Sequence, residues 1–136
     1  MKLTSLRFVG GCLLLFCAVS LLTLTPARAA TDDTHRTTVF SGKVVNGGTV
    51  THSRENGKSI LRLSEDFVIP GSPDPHWQVV DAKGEVHLLQ ALKLKEGLSN
   101  REIVLPKHVP NVARVQIWCA FAEVLLGEGS FNKPVK

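Results

Sequence analysis

The chain has 136 residues, 43% of them hydrophobic, and carries a formal net charge of +4 at neutral pH. Three of its sixteen Lys and Arg residues lie within residues 1–29, so the other 107 residues hold thirteen basic and twelve acidic side chains. Such a balance, without a stripe of basic and aromatic residues, argues against nucleic-acid binding. The length fits one domain with a single core.

Residues 1–29 have the three-part layout of an export signal. Two cations precede an apolar run over residues 8–24, and Ala27 and Ala29 supply the small side chains of a cleavage site. We therefore expect cleavage after Ala29 and a secreted or periplasmic protein. The alternative is an uncleaved segment that holds the chain in a membrane, because this run of 17 residues approaches the roughly 20 that a span needs. Membrane contact is expected only through that segment.

The rest of the chain is divided into a polar, flexible leader over residues 30–38, a β domain over residues 39–132 and a tail over residues 133–136. Within the β domain, short runs rich in Val, Ile, Leu and Thr alternate with turn residues. This spacing is typical of a small antiparallel β-sandwich or barrel, so we predict a single all-β domain.

Local turn chemistry indicates two hairpins and one loop. Asn56-Gly57 is suited to a type I′ turn, because both central residues of that turn need positive φ. Residues 81–84 predict a second hairpin. Between them, three prolines make residues 70–75 a loop, since proline lacks a backbone donor and restricts the residue before it.

The last long apolar segment, residues 113–126, predicts one strand with two distinct faces. Val115, Ile117, Cys119 and Phe121 alternate onto its apolar face. Cys119 is also the one cysteine left after cleavage, because Cys12 and Cys17 belong to the export signal. It has no partner for an internal disulfide.

Two interpretations of Cys119 stay open at this point. A redox or metal-binding role needs a thiolate, which a nearby cation, a helix N-terminus or a metal favours. The sequence shows no adjacent cation, and an apolar strand face is equally consistent with a buried, inert cysteine. The five histidines show no metal-binding spacing, so no metal site is predicted.

Several segments together resemble one known family, the DM13 domain. The resemblance spans about residues 40–131. It is carried by Ile117-Trp118-Cys119 with Val124 and Gly127, by Leu61, Leu63, Asp66 and Phe67, by Ser72-Pro73-Asp74 and by Leu105-Pro106. The chain departs from the family at Ile103, Leu126 and Gly129 and contains no tyrosine.

The resemblance implies an extracytoplasmic β domain proposed to transfer electrons through its cysteine, as a thiol or as a ligand of a group such as haem. Cys119 then becomes the redox residue. The neighbouring or structural candidates that the resemblance adds are Trp118, Asp66, Phe67, Pro73 and Asp74.

Three functional hypotheses follow, and none is a free-standing enzyme. The first is a redox or electron-transfer accessory module that meets a redox partner protein. The second is a structural or protein-interaction domain in which Cys119 is buried and the loop at residues 70–75 meets a partner. The third is binding of a non-covalent haem or metal; the sequence requires no cofactor, since the Cys-x-x-Cys-His attachment is absent. It indicates no oligomeric state.

Overall fold

The computed structural model describes residues 35–136, so the expected export signal at residues 1–29 lies outside the described residues. Seven strands form the domain: β1 (Val50–Glu55), β2 (Lys58–Leu63), β3 (Pro75–Val80), β4 (Val86–Ala91), β5 (Glu102–Val104), β6 (Val112–Cys119) and β7 (Val124–Val135). Apart from the 3₁₀ turn at Lys95–Gly97 and a 3₁₀ conformation at His35, the described residues form strands and loops. Within residues 35–136, no helix has the length and apolar character that crossing a bilayer requires.

The strands form two antiparallel sheets that pack together. One sheet has the order β1-β2-β5 and the other β4-β3-β6-β7. The core between them draws on both sheets: Val50 and Leu61 come from the first, Trp77, Val115 and Ile117 from the second, and all five are buried. The predicted all-β class and the β-sandwich are therefore confirmed.

Both predicted hairpins are present. Asn56 and Gly57 have φ values of 50° and 74° between β1 and β2, as a type I′ turn requires. Residues 81–84 connect β3 to β4, with a φ of 88° at Gly84. Local chemistry was sufficient at these turns because glycine adopts positive φ without steric cost.

The prediction of one strand over residues 113–126 is wrong. The chain turns at residues 120–123, so β6 and β7 form a hairpin in which Cys119 pairs with Val124. Glu123 makes this turn with a φ of 53°. Phe121 consequently leaves the apolar face and is 79% exposed. The alternating pattern continued through the turn and concealed it.

Ordered pairing extends beyond the domain limits expected at both ends. In the segment expected to be a flexible leader, Thr38 donates its backbone N–H to the carbonyl of Ser130, at 2.8 Å. At the other end, β7 continues through the expected tail to Val135, which is buried. The first described residues therefore pack along the last strand.

Gly127 permits the chain around Val45 to approach β7 closely. A Cβ atom built on Gly127 would lie 2.5 Å from the carbonyl oxygen of Val45. The ladder also changes register beside it, because Ile117 pairs with Gly127 whereas Trp118 pairs with Leu125. The β6–β7 ladder is thus irregular at Gly127, and the same glycine serves long-range packing.

Candidate functional site

Cys119 is the last residue of β6 and belongs to the core. It is 1% exposed, lies within the hydrophobic cluster between the sheets, and is a free cysteine of the described residues. Its ladder partners are Pro75 on β3 and Val124 on β7. A thiol in these surroundings cannot meet a solvent oxidant or a partner's thiol unless this end of the sandwich opens.

The surroundings of Cys119 do not fit a haem. Ligation would need a cavity next to the sulfur, but Cys119 lies in a packed cluster and lines none of the four clefts described within residues 35–136. The roomiest of these, about 470 Å³, lies between residues 36–38 and residues 130–132. The packed core therefore leaves no room for a haem beside the sulfur.

Trp118, the neighbour of Cys119, is directed to the opposite face of the sheet. Successive strand residues alternate in direction, so the half-buried Trp118 lies on the outer face, in register with His76 and Leu125. It does not cover the sulfur. The other tryptophan, Trp77, is fully buried and donates its indole N–H to the carbonyl of Asn100 at 2.7 Å.

Asp66 and Phe67 occupy a turn after β2. Asp66 is exposed, whereas Phe67 is buried and packs edge-on against Phe40, with 5.3 Å between ring centroids. Arg101 holds this turn by donating to the carbonyls of Ser64 at 2.6 Å and Phe67 at 3.0 Å. These contacts assign Phe67 a structural role, and Asp66 lies exposed in the turn that they hold.

Pro73 and Asp74 lie in the proline-rich loop, which is fastened on two sides. Lys93 Nζ donates to the carbonyl of Ser72 at 2.7 Å, and the backbone N–H of Ala120 donates to the carbonyl of Asp74 at 2.9 Å. Because Pro75 pairs with Cys119, Asp74 lies beside the strand end that carries the sulfur. The structure therefore brings Asp74 close to Cys119 in the ladder.

The loops attached to this region expose large apolar side chains. We define the loop end as residues 68–74, 93–99 and 120–123. Four of its large apolar side chains are exposed: Val68 (79%), Leu94 (49%), Leu98 (64%) and Phe121 (79%). Leu94 and Leu98 also line a cleft of about 200 Å³ with Ile69. The sequence drew attention to the prolines of this region and missed the apolar residues of the other two loops.

A second cluster contains two stacked histidines at the start of the described chain. His35 Nδ1 lies 3.0 Å from His52 Nδ1, and His52 Nε2 lies 2.7 Å from the hydroxyl of Ser59. Burial lowers the pKa of His52 below 6.5, and the nearby charges of His35 and Arg54 lower it further. The neutral imidazole is thus the favoured form of this buried side chain.

A third cluster, which the search for histidine spacing missed, lies at the β3–β4 hairpin. Asp81, Glu85 and His87 each offer one ligand atom there, within 4.8 Å of one another. The hydrogen bond from His87 is the main cause that lowers the pKa of Asp81, and backbone donors contribute. The available signal was the hairpin itself, which returns residues 85 and 87 beside residue 81.

Comparison of the chain with protein-family models, curated proteins and solved structures finds no match. The resemblance to the DM13 domain therefore remains a prediction from the residues quoted for it.

Proposed function

We propose that this chain is an exported, non-catalytic β-sandwich domain that binds a partner protein through its loop end. The observation that carries the proposal is the 1% exposure of Cys119, which makes the one candidate reactive residue a part of the core. Because the sulfur is enclosed, the outer surface of the folded domain is what a partner can reach. The exposed apolar side chains of the loop end are the surface that this proposal uses.

The composition of the loop end supports a protein partner. Scattered single apolar residues are normal on a surface, but several large ones on neighbouring loops are typical of interaction sites. Phe121 supplies an aromatic side chain, a type that is enriched in the cores of protein–protein interfaces. Lys93, fastened to Ser72, adds a cation at the rim of the Leu94–Leu98 cleft.

A redox function of Cys119 is the second candidate, favoured by its position at the end of β6. The residue adjoins the turn at residues 120–123, so local opening of one hairpin end would expose the sulfur without unfolding the domain. The thiolate would then attack a disulfide of a redox partner protein, forming a mixed disulfide and releasing the other partner sulfur as a thiolate. The resemblance to the DM13 domain supports this candidate as well.

Thiol titration of the purified protein separates the two candidates. If Cys119 is a core residue, an aromatic disulfide reagent labels it only after unfolding, and the folded protein has no absorption band of a haem. The Cys119→Ala variant is the blank, because it contains no thiol once the signal has been cleaved. Stoichiometric labelling of the folded protein within minutes would contradict the interaction proposal and favour the redox one.

A surface variant tests the loop end directly. Phe121→Ser removes the exposed aromatic side chain of the loop end. Val104→Ser removes a half-exposed valine from β5, outside the loop end. We expect proteins captured from an extract of the source cells by the wild-type domain to be lost with Phe121→Ser and retained with Val104→Ser. Equal capture by both variants would refute the loop end as the interface.

A further inference from the structure

The cluster of Asp81, Glu85 and His87 has the donor set of a transition-metal site. Two carboxylates and one imidazole meet at the tip of the β3–β4 hairpin, with ligand atoms within 4.8 Å of one another. We propose that these three side chains bind one Zn²⁺ ion and that water completes a tetrahedral coordination. The site is independent of the loop end and of Cys119.

The hairpin backbone brings the three residues together. The backbone N–H of Asp81 donates to the carbonyl of Glu85 at 3.0 Å, and that of Gly84 donates to the carbonyl of Asp81 at 3.0 Å. His87, two residues after Glu85, lies on β4 and pairs with Val79 of β3. Because strand residues alternate in direction, Glu85 and His87 project to the same side.

Asp81 is held in the orientation of a metal ligand. Its Oδ1 accepts the backbone N–H groups of Lys83 at 2.8 Å and Glu85 at 3.0 Å, while its Oδ2 lies 3.1 Å from His87 Nε2. Its side chain is 2% exposed and that of His87 is 15% exposed. In known metal sites, hydrogen bonds to the non-ligating atom of a carboxylate fix the ligating atom in the same way.

The observed spacing matches tetrahedral zinc. Ligands about 2.0–2.1 Å from the ion lie about 3.3 Å from one another, and Asp81 Oδ2 and His87 Nε2 are already 3.1 Å apart. Zn²⁺ would take the place of the proton that these atoms share. Glu85 is exposed, so its carboxylate is free to rotate the remaining distance inward.

The two carboxylates suit a divalent ion, and the ligand type favours Zn²⁺ over Ca²⁺ or Mg²⁺. An imidazole ligand selects zinc and its neighbours among the metals, whereas calcium and magnesium prefer oxygen alone. A further imidazole, that of His108, lies 6.1 Å from His87 between ring centroids. It raises the local density of metal donors.

Glu85 distinguishes a metal site from a hydrogen-bonded hairpin. The pair of Asp81 and His87 would stabilise the turn without any ion. The carboxylate of Glu85, in contrast, makes no hydrogen bond or ion pair within residues 35–136 and contributes to the hairpin through its backbone. A substitution of this carboxylate leaves the hairpin contacts intact, so a loss of zinc affinity would report on metal binding and not on a destabilised hairpin.

The test is a titration of the purified protein with ZnCl₂ in competition with a chromophoric chelator. We expect one equivalent of Zn²⁺ to bind, with affinity reduced by about tenfold or more in His87→Gln and in Glu85→Gln. Glu85→Gln keeps the test decisive if changes at Asp81 prevent folding. The melting temperature should also rise with Zn²⁺ in the wild type, because the ion binds the folded state.

His76→Gln is the matched control, since His76 Nδ1 lies 3.4 Å from Asp74 Oδ1 and forms a histidine–aspartate pair outside the hairpin tip. It should bind Zn²⁺ as the wild type does. The proposal is overturned if one equivalent does not bind, if Glu85→Gln retains full affinity, or if His76→Gln loses as much affinity as His87→Gln.

Discussion

Replacement of Cys119 by serine tests whether the sulfur is an apolar core atom. The side chain is 1% exposed, and its ladder partners Pro75 and Val124 have side chains without hydrogen-bonding groups. Cys119→Ala removes one buried heavy atom and should lower the free energy of unfolding by about 1 kcal/mol. Cys119→Ser conserves the shape but buries a hydroxyl that lacks a good partner, which should cost about 1–3 kcal/mol.

Urea unfolding followed by tryptophan fluorescence measures both variants, since Trp77 reports on the core. The midpoint should fall for each, with an unchanged dependence of the unfolding free energy on urea. Phe121→Ser, two residues further on and exposed to solvent, is the control and should shift stability by less than about 0.5 kcal/mol. If Cys119→Ser is as stable as the wild type while Cys119→Ala is not, the site is polar or hydrated and the core assignment fails.

Three further substitutions test other contacts. Gly127→Ala should lower the free energy of unfolding by about 1–3 kcal/mol or prevent folding, because its Cβ would clash with the carbonyl oxygen of Val45. Soluble yield and the urea midpoint measure this loss, and wild-type stability would contradict the reasoning. Stability should fall as the pH decreases below about 6.5, because the pKa of His52 is lowered in the folded state and the unfolded state binds the extra proton. In His52→Gln, the melting temperature should depend less on pH between pH 7 and pH 5. An unchanged pH dependence would exclude His52 as the cause. Trp77→Phe removes the hydrogen bond to Asn100 and part of the core volume, so urea unfolding, now followed by circular dichroism, should show a loss of about 1–3 kcal/mol.

Short-range chemistry accounts for the parts of the fold that were predicted correctly. Asn56-Gly57 specifies its turn because the required positive φ values restrict the residue types, and alternation placed Cys119 on an apolar face. The same alternation failed at Phe121, because a turn at residues 120–123 without proline or glycine gives no local signal. Glu123 adopts positive φ there, a conformation that its residue type does not announce.

The candidate sites depend on contacts between residues that are further apart. Asp81, Glu85 and His87 are close in sequence, yet only the hairpin register brings their ligand atoms together. The loop end is assembled from three loops, and neither Leu98 nor Phe121 indicates the other's position. Spacing rules for metal ligands describe pairs on one helix or in short sequence motifs, so they do not detect three ligands that a hairpin brings together.

The β class, two turns and the apolar face that carries Cys119 are predictable from the sequence, because each depends on neighbouring residues and on the two-residue period of a strand. The extent to which Cys119 is buried and the pairing of Thr38 with Ser130, 92 residues away, depend instead on long-range packing. Burial of the sulfur results from packing of the sheet β1-β2-β5 against the sheet that carries Cys119. The packing of the two sheets depends on how their whole surfaces fit together, and no local sequence pattern describes that fit.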